Sequence, residues 1–129
     1  MLLDTTFISD LIRGTDAAVE KRDELKDSAT PIALSALTVF EAGMGLRGVS
    51  NDAREQFDRT VGQLDVALFG EREARRAVAI QTELIDSGER IGSVDVLIAA
   101  TAAESTDPTV LTRNVDEFER VEGIDVETY

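Results

Sequence analysis

Four acidic residues stand where a carboxylate is hard to explain by folding alone. Asp4 ends the apolar start Met1-Leu2-Leu3. Glu41 interrupts an apolar, helix-like run from Ala36 to Met44, and Asp95 opens another from Ser93 to Ala100. Asp116 follows the strand-like Val110-Leu111-Thr112. Carboxylates are almost never fully buried unless paired or bound to metal. Several that converge on one place, with no His or Cys beside them, suit a hard divalent cation such as Mg²⁺ or Mn²⁺. The chemistry this implies is metal-assisted attack on a phosphate ester. Each acid also has an ordinary structural use. Asp4 suits an N-cap, and Asp95 suits the first turn of a helix capped by Ser93. Glu41 suits an exposed helix position, while Asn114, Asp116 and Glu117 all suit a helix start.

The absences narrow the chemistry further. The chain has no Cys and no His, which removes disulfides, thiolate or imidazole metal ligands, Ser-His and Cys-His triads, and imidazole acid–base catalysis. Its 129 residues suit one compact domain spanning 1–129 with a real core. Hydrophobic content is 43% but aromatic content only 5%, so Ala, Val, Leu and Ile must build that core. No apolar stretch approaches the roughly 20 residues that span a bilayer. No basic segment precedes the apolar start, so no signal peptide is expected. The expected location is the cytoplasm, with no membrane partner.

Net charge is −13, which repels phosphate backbones at long range. Of the 13 basic side chains only Lys21 and Lys26 are lysines; the others are arginines. An acid-rich, lysine-poor surface fits multimolar salt, where the Debye length falls to about 3 Å or less and such repulsion hardly acts. A halophilic source is therefore the expectation, with an ordinary acidic protein as the alternative.

The elements that must position these acids alternate between short apolar runs and amphipathic stretches. Leu2-Leu3-Asp4 reads as a strand, then Thr5 or Thr6 caps a short helix through Ile12 that stops at Gly14. Asp16 to Lys26 reads as a surface helix with Ala17, Ala18 and Leu25 inward. Ile32 to Ser35 is a strand and Ala36 to Leu46 a helix. Asn51 caps the next helix, and Leu64 to Leu68 is a third strand. Gly70 to Ser87 shows the clearest helical periodicity, with Ala74, Ala77, Val78, Gln81, Leu84 and Ile85 on one face. Ser93 caps a buried helix through Ala103. Val110 to Thr112 is a fourth strand, Val115 to Val121 a short helix, and Ile124 to Val126 a fifth strand. Such alternation predicts an α/β fold with a mostly parallel sheet of four or five strands, covered on both faces. Sites in such sheets lie beyond the carboxyl ends of the strands. Asp4 and the Asn114–Asp116 segment fall there, and Glu41 and Asp95 fall near helix starts.

Four segments carry these acids in order: Leu3-Asp4-Thr5-Thr6-Phe7-Ile8, Ser35 to Leu46, Ser93 to Ala102, and Val110 to Phe118. Together they resemble the PIN-domain nucleases, most closely the VapC toxins of type II toxin–antitoxin modules. The resemblance covers nearly the whole chain. It implies a three-layer α/β/α fold and Mg²⁺- or Mn²⁺-dependent cleavage of RNA. It matches Asp4, Glu41 and Asp95 to the three core metal-binding and catalytic acids. The fourth acidic position falls in Thr112-Arg113-Asn114, where Asn114 brings no charge and nearby Asp116 is the candidate replacement. Thr6 matches a small polar residue beside the first acid, suited to hydrogen-bond a ligand or water. Arg13, Arg47 and above all Arg113 are candidates for substrate phosphates. The resemblance also implies a homodimer and a small VapB-like antitoxin, with the Val39-Phe40-Met44 region either interface or core.

Three other readings stand beside it. One is a PIN nuclease of RNA processing that is not a toxin. Another is a phospho-acceptor signalling domain of the receiver type, which needs a late Lys and an acidic pair near the first strand; both lysines here precede position 30. The last is a non-enzymatic acidic binding domain.

Overall fold

The computed structural model describes residues 1–129. Its elements are β1 (Leu2–Leu3), α1 (Thr5–Arg13), α2 (Asp16–Asp27), β2 (Ala33–Ser35), α3 (Ala36–Gly45) and α4 (Asn51–Gly62). There follow β3 (Asp65–Ala67), α5 (Glu71–Asp86), α6 (Ser93–Ala103), β4 (Thr109–Leu111), α7 (Val115–Phe118) and β5 (Asp125–Glu127).

All five strands are parallel, in the order β3-β2-β1-β4-β5. Parallel neighbours need crossover connections, which place helices over both faces. The two-residue alternation of a strand then sorts its side chains between two cores. Leu2 pairs in register with Val110, and both enter a cluster with Ala77, Ile80 and Leu84 of α5 and the apolar side of α6. Leu3 pairs with Leu111 and Leu34, and these face Phe7, Ile8 and Leu11 of α1 with Ala18 and Leu25 of α2. The result is the expected three-layer α/β/α sandwich, with a fully parallel five-stranded sheet.

Strand order reverses at β1. The chain runs outward through β2 and β3, then returns to place β4 on the other side of β1. The carboxyl ends of β1 and β4 are thus the topological switch point, where side chains can line an open crevice.

Several local expectations shift. Ser50, not Asn51, caps α4, its Oγ accepting from Ala53 N at 3.4 Å. Neither Thr5 nor Thr6 caps α1, because Asp4 takes that position, and Gly92 rather than Ser93 precedes α6. Gly14 does end α1, at φ 71°, a left-handed conformation that glycine adopts without strain. On α5 the buried row is Ala77, Ile80 and Leu84, whereas Val78 is 68% exposed and Ile85 49%. Both lie at the edge of the predicted stripe. On α2, Ala17 is exposed and Lys21 is buried, held by Glu24 and Glu127. Glu41 is the sixth residue of α3, so it sits mid-helix rather than near the start. No helix is long and apolar enough to cross a membrane.

Candidate metal centre

Asp4 leaves the sheet at the switch point, its backbone N–H donating to Leu111 O of β4 at 3.0 Å. It holds the N-cap position of α1, yet its carboxylate makes no capping bond. The side chain turns into the protein instead and is 2% exposed. Oδ2 accepts from Thr112 Oγ1 at 2.8 Å and from Thr6 Oγ1 at 3.1 Å. Oδ1 is buried with no hydrogen-bond partner. Leaving a buried carboxylate oxygen unsatisfied is costly, so folding alone gives no reason for it.

A chain of polar contacts runs from Asp4 to the other acids. Thr112 directly follows β4, and its Oγ1 accepts from Asn114 N at 2.9 Å. Asn114 Nδ2 donates to Asp95 Oδ2 at 3.2 Å. The Asp95 carboxyl in turn lies beside that of Glu117, which approaches Gly92 N at 3.5 Å. Short tethers fix this order: β4 and α7 are joined by Thr112, Arg113 and Asn114, and Asp95 lies in the first turn of α6. Glu41 has no hydrogen bond to this network but lies close enough to act on Asp95 through its charge.

Asp95 carries the electrostatic strain. Burial raises its pKa most, followed by the Glu117 hydrogen bond and the negative fields of Asp4, Glu117 and Glu41; together they push it up to about 7. Glu117 moves the other way, held below the usual carboxylate range first by the Asp95 hydrogen bond and then by Gly92 N–H and Asn114.

These residues fit a hard divalent cation. The donors are carboxylate, amide and hydroxyl oxygens, the set such ions prefer. An unpartnered buried Asp4 oxygen and an Asp95 pushed toward neutrality are both features that a cation relieves. As the side chains stand, no three carboxylates are gathered closely enough to enclose an ion. Mg²⁺ keeps several of its waters and needs only one or two direct carboxylates, so this spacing is compatible with it.

The expected site residues divide accordingly. Asp4, Thr6, Asn114 and Asp95 are joined by hydrogen bonds through Thr112, and Glu41 is near. Asp116 is exposed and bonds to none of them. The acid of α7 that reaches Asp95 is its neighbour Glu117. The reason is helical phase: Phe118 is fully buried and anchors the four-residue helix, which turns Asp116 to solvent and Glu117 back toward α6. A signal for this existed. Glu117 stands three residues after Asn114, the spacing at which an acid folds back over a helix N-terminus. Arg113 lies at the rim, its backbone N–H donating to Thr6 Oγ1 at 3.0 Å. Arg13 is exposed and 3.9 Å from Asp10, and Arg47 is exposed without an ion pair. Lys21 is occupied by Glu127 and Glu24, and Lys26 is exposed in the last turn of α2.

Residues 1–124 match the family described as PIN domain. Ribonuclease VapC19 of Mycobacterium tuberculosis is 38% identical over 121 residues, covering 91% of this chain and 90% of that protein. The structure of VapBC2 from Rickettsia felis bound to a DNA fragment from its promoter superposes with a TM-score of 0.83 at 23% identity, over 99% of this chain and 97% of that chain. FitAcB from Neisseria gonorrhoeae gives a TM-score of 0.80 at 28% identity, over 97% of this chain and 94% of that chain.

Proposed function

This chain belongs to the PIN-domain family, and from that premise we propose that it is a divalent-metal-dependent endoribonuclease, the toxin of a VapBC-type module. The observation that carries the reading is the switch-point network, in which buried Asp4, with an unpartnered Oδ1, is linked through Thr112 and Asn114 to Asp95. Likeness to a ribonuclease at 38% identity supports RNA as the substrate.

Asp4, Glu41 and Asp95 would hold the ion, Mg²⁺ or Mn²⁺, with Asn114 and Glu117 beside them. When bound, such an ion supplies a water of lowered pKa and offsets charge at phosphorus and the leaving oxygen. The protein's own residues do the rest. Thr6 and Thr112 fix the Asp4 carboxylate through Oδ2 and so aim Oδ1. Asn114 orients Asp95 through Oδ2. Asp95 would be the group to accept a proton from such a water, with the Glu117 carboxyl beside it. With no His in the chain, these carboxylates are its acid–base groups at the site.

The partners follow from the surface. Phe40 is 62% exposed and Met44 48%, one turn apart on α3 and flanking Glu41. This pair is surface rather than core, whereas Val39 packs inward. We assign it to protein contact, either a second copy of this chain or a VapB-like antitoxin that covers the site, in a cytoplasmic setting.

Purified protein incubated with structured RNA tests the reading. Cleavage that requires Mg²⁺ or Mn²⁺, stops in EDTA and is lost in Asp95→Asn is expected. Cleavage that continues in EDTA or in that variant overturns it.

A further inference from the structure

Asp10 lies outside the metal centre, on the inward side of α1, and is 2% exposed. Its neighbours on that helix, Phe7, Ile8 and Leu11, are all core residues. An apolar side chain there would avoid the desolvation that a buried carboxylate suffers. Asp10 therefore needs a use of its own. Its Oδ2 accepts from Tyr129 OH at 2.8 Å and lies 3.0 Å from Arg113 Nε. Oδ1 is 3.9 Å from Arg13 Nη1. The Tyr129 ring packs edge-on against Phe7, centroids 5.0 Å apart. Arg113 is anchored at both ends: its backbone N–H donates to Thr6 Oγ1 at 3.0 Å, and Thr6 donates to Asp4 at 3.1 Å. Its side chain is 56% exposed, and the guanidinium meets Asp10 as an ion pair at Nε.

We propose that Asp10 is a positioning residue that clamps Arg113 through Nε, so that its two terminal nitrogens face outward beside Asp4 to receive a phosphate of the bound strand. This rests on the ribonuclease reading above. The physical need is specific to this chain. At a net charge of −13, a free guanidinium has many surface carboxylates to pair with, and few cations offset the repulsion of RNA. A buried acid that holds the guanidinium near Nε competes with such pairing and keeps the exposed part of the fork available. Ordering a long side chain before binding is worth a few-fold to about tenfold in affinity.

The test is steady-state cleavage at saturating Mg²⁺, using an RNA that the wild-type protein cuts. Asp10→Asn is expected to raise KM about three- to tenfold with kcat within about twofold. Arg113→Ala should do the same, and the double variant should be no worse than Arg113→Ala alone, because the two residues act as one unit. Tyr129→Phe, which removes the other partner of Asp10, should leave KM unchanged. Arg113→Lys keeps the charge but cannot both pair with Asp10 and present a fork, so its KM should match that of Arg113→Ala. This exposed substitution decides the matter even if Asp10→Asn does not fold. Unchanged KM in Asp10→Asn, additive effects in the double variant, wild-type KM in Arg113→Lys, or a Tyr129→Phe defect equal to that of Asp10→Asn would each overturn the proposal. Wild-type protein that cuts no RNA with any divalent cation overturns the ribonuclease reading itself, and this inference with it.

Discussion

The carboxyl groups of Asp95 and Glu117 lie together beside Gly92, at the start of α6. Two ionised carboxylates so placed repel, which favours a proton on one of them. Asp95 is the one raised, because it is the more buried of the two and also feels the charges of Asp4 and Glu41. The titrations of the two groups are linked, and a cation entering the site would favour the ionised pair.

Stability without metal should therefore fall as pH rises from about 5 to about 7. Asp95 is raised from 3.8 to about 7, so in this window the folded chain binds more protons than the unfolded chain. Glu117, which is lowered, acts oppositely, but its contribution is lost only as pH falls through and below its ordinary value of 4.5. Melting curves in EDTA across this range check the slope, and Asp95→Asn should flatten it. Adding Mg²⁺ or Mn²⁺ at pH 7 and above should restore stability.

Asp4→Asn and Asp95→Asn should each lower RNA cleavage by about a hundredfold or more. Both should fold, and Asp95→Asn should melt higher than wild type in EDTA at pH 7 because it removes a crowded negative charge. Equal melting temperatures in EDTA would show that the acids do not repel one another as placed.

Glu117→Gln and Asp116→Asn distinguish the two acids of α7. Glu117→Gln should lower the pKa of Asp95 and weaken the pH dependence of metal-free stability. Asp116→Asn, at an exposed position, should change neither that dependence nor cleavage. Paired pH–melting series on the two variants make the comparison.

Thr112→Val should cost about 1–3 kcal/mol, because it removes a donor to a buried carboxylate that already has one unpartnered oxygen. Urea unfolding measures the loss. Thr112→Ser keeps the hydroxyl and should recover most of it.

Salt should stabilise the protein. At a net charge of −13 its surface carboxylates repel each other, and screening relieves this as the Debye length shrinks to about 3 Å near 1 M. Melting temperature should climb with KCl toward molar concentrations, as a halophilic source would require. Full stability in dilute buffer free of divalent ions would count against that origin.

The layered fold was legible because its signals are local. Two-residue alternation in Leu2-Leu3 and Val110-Leu111, helical periodicity in Ala77, Ile80 and Leu84, and the left-handed stop at Gly14 all act within a strand or a few turns. The acids at positions 4, 41 and 95 stood out because each breaks an apolar run, and the absence of His and Cys left oxygen as the candidate donor. The phase of α7 was not legible. A helix of four residues has too few turns to show a face, so the packing of Phe118 decided that Glu117 and not Asp116 meets Asp95. Nor was the burial of Asp10 and Lys21, whose surroundings come from the far end of the chain. The contacts of Asp4 with Thr112, Thr6 with Arg113 and Asp10 with Tyr129 each join residues more than 100 positions apart. No local rule connects such residues. They meet because β4 lies parallel to β1 in register, Leu3 against Leu111, which brings the residues just beyond both strands to one crevice.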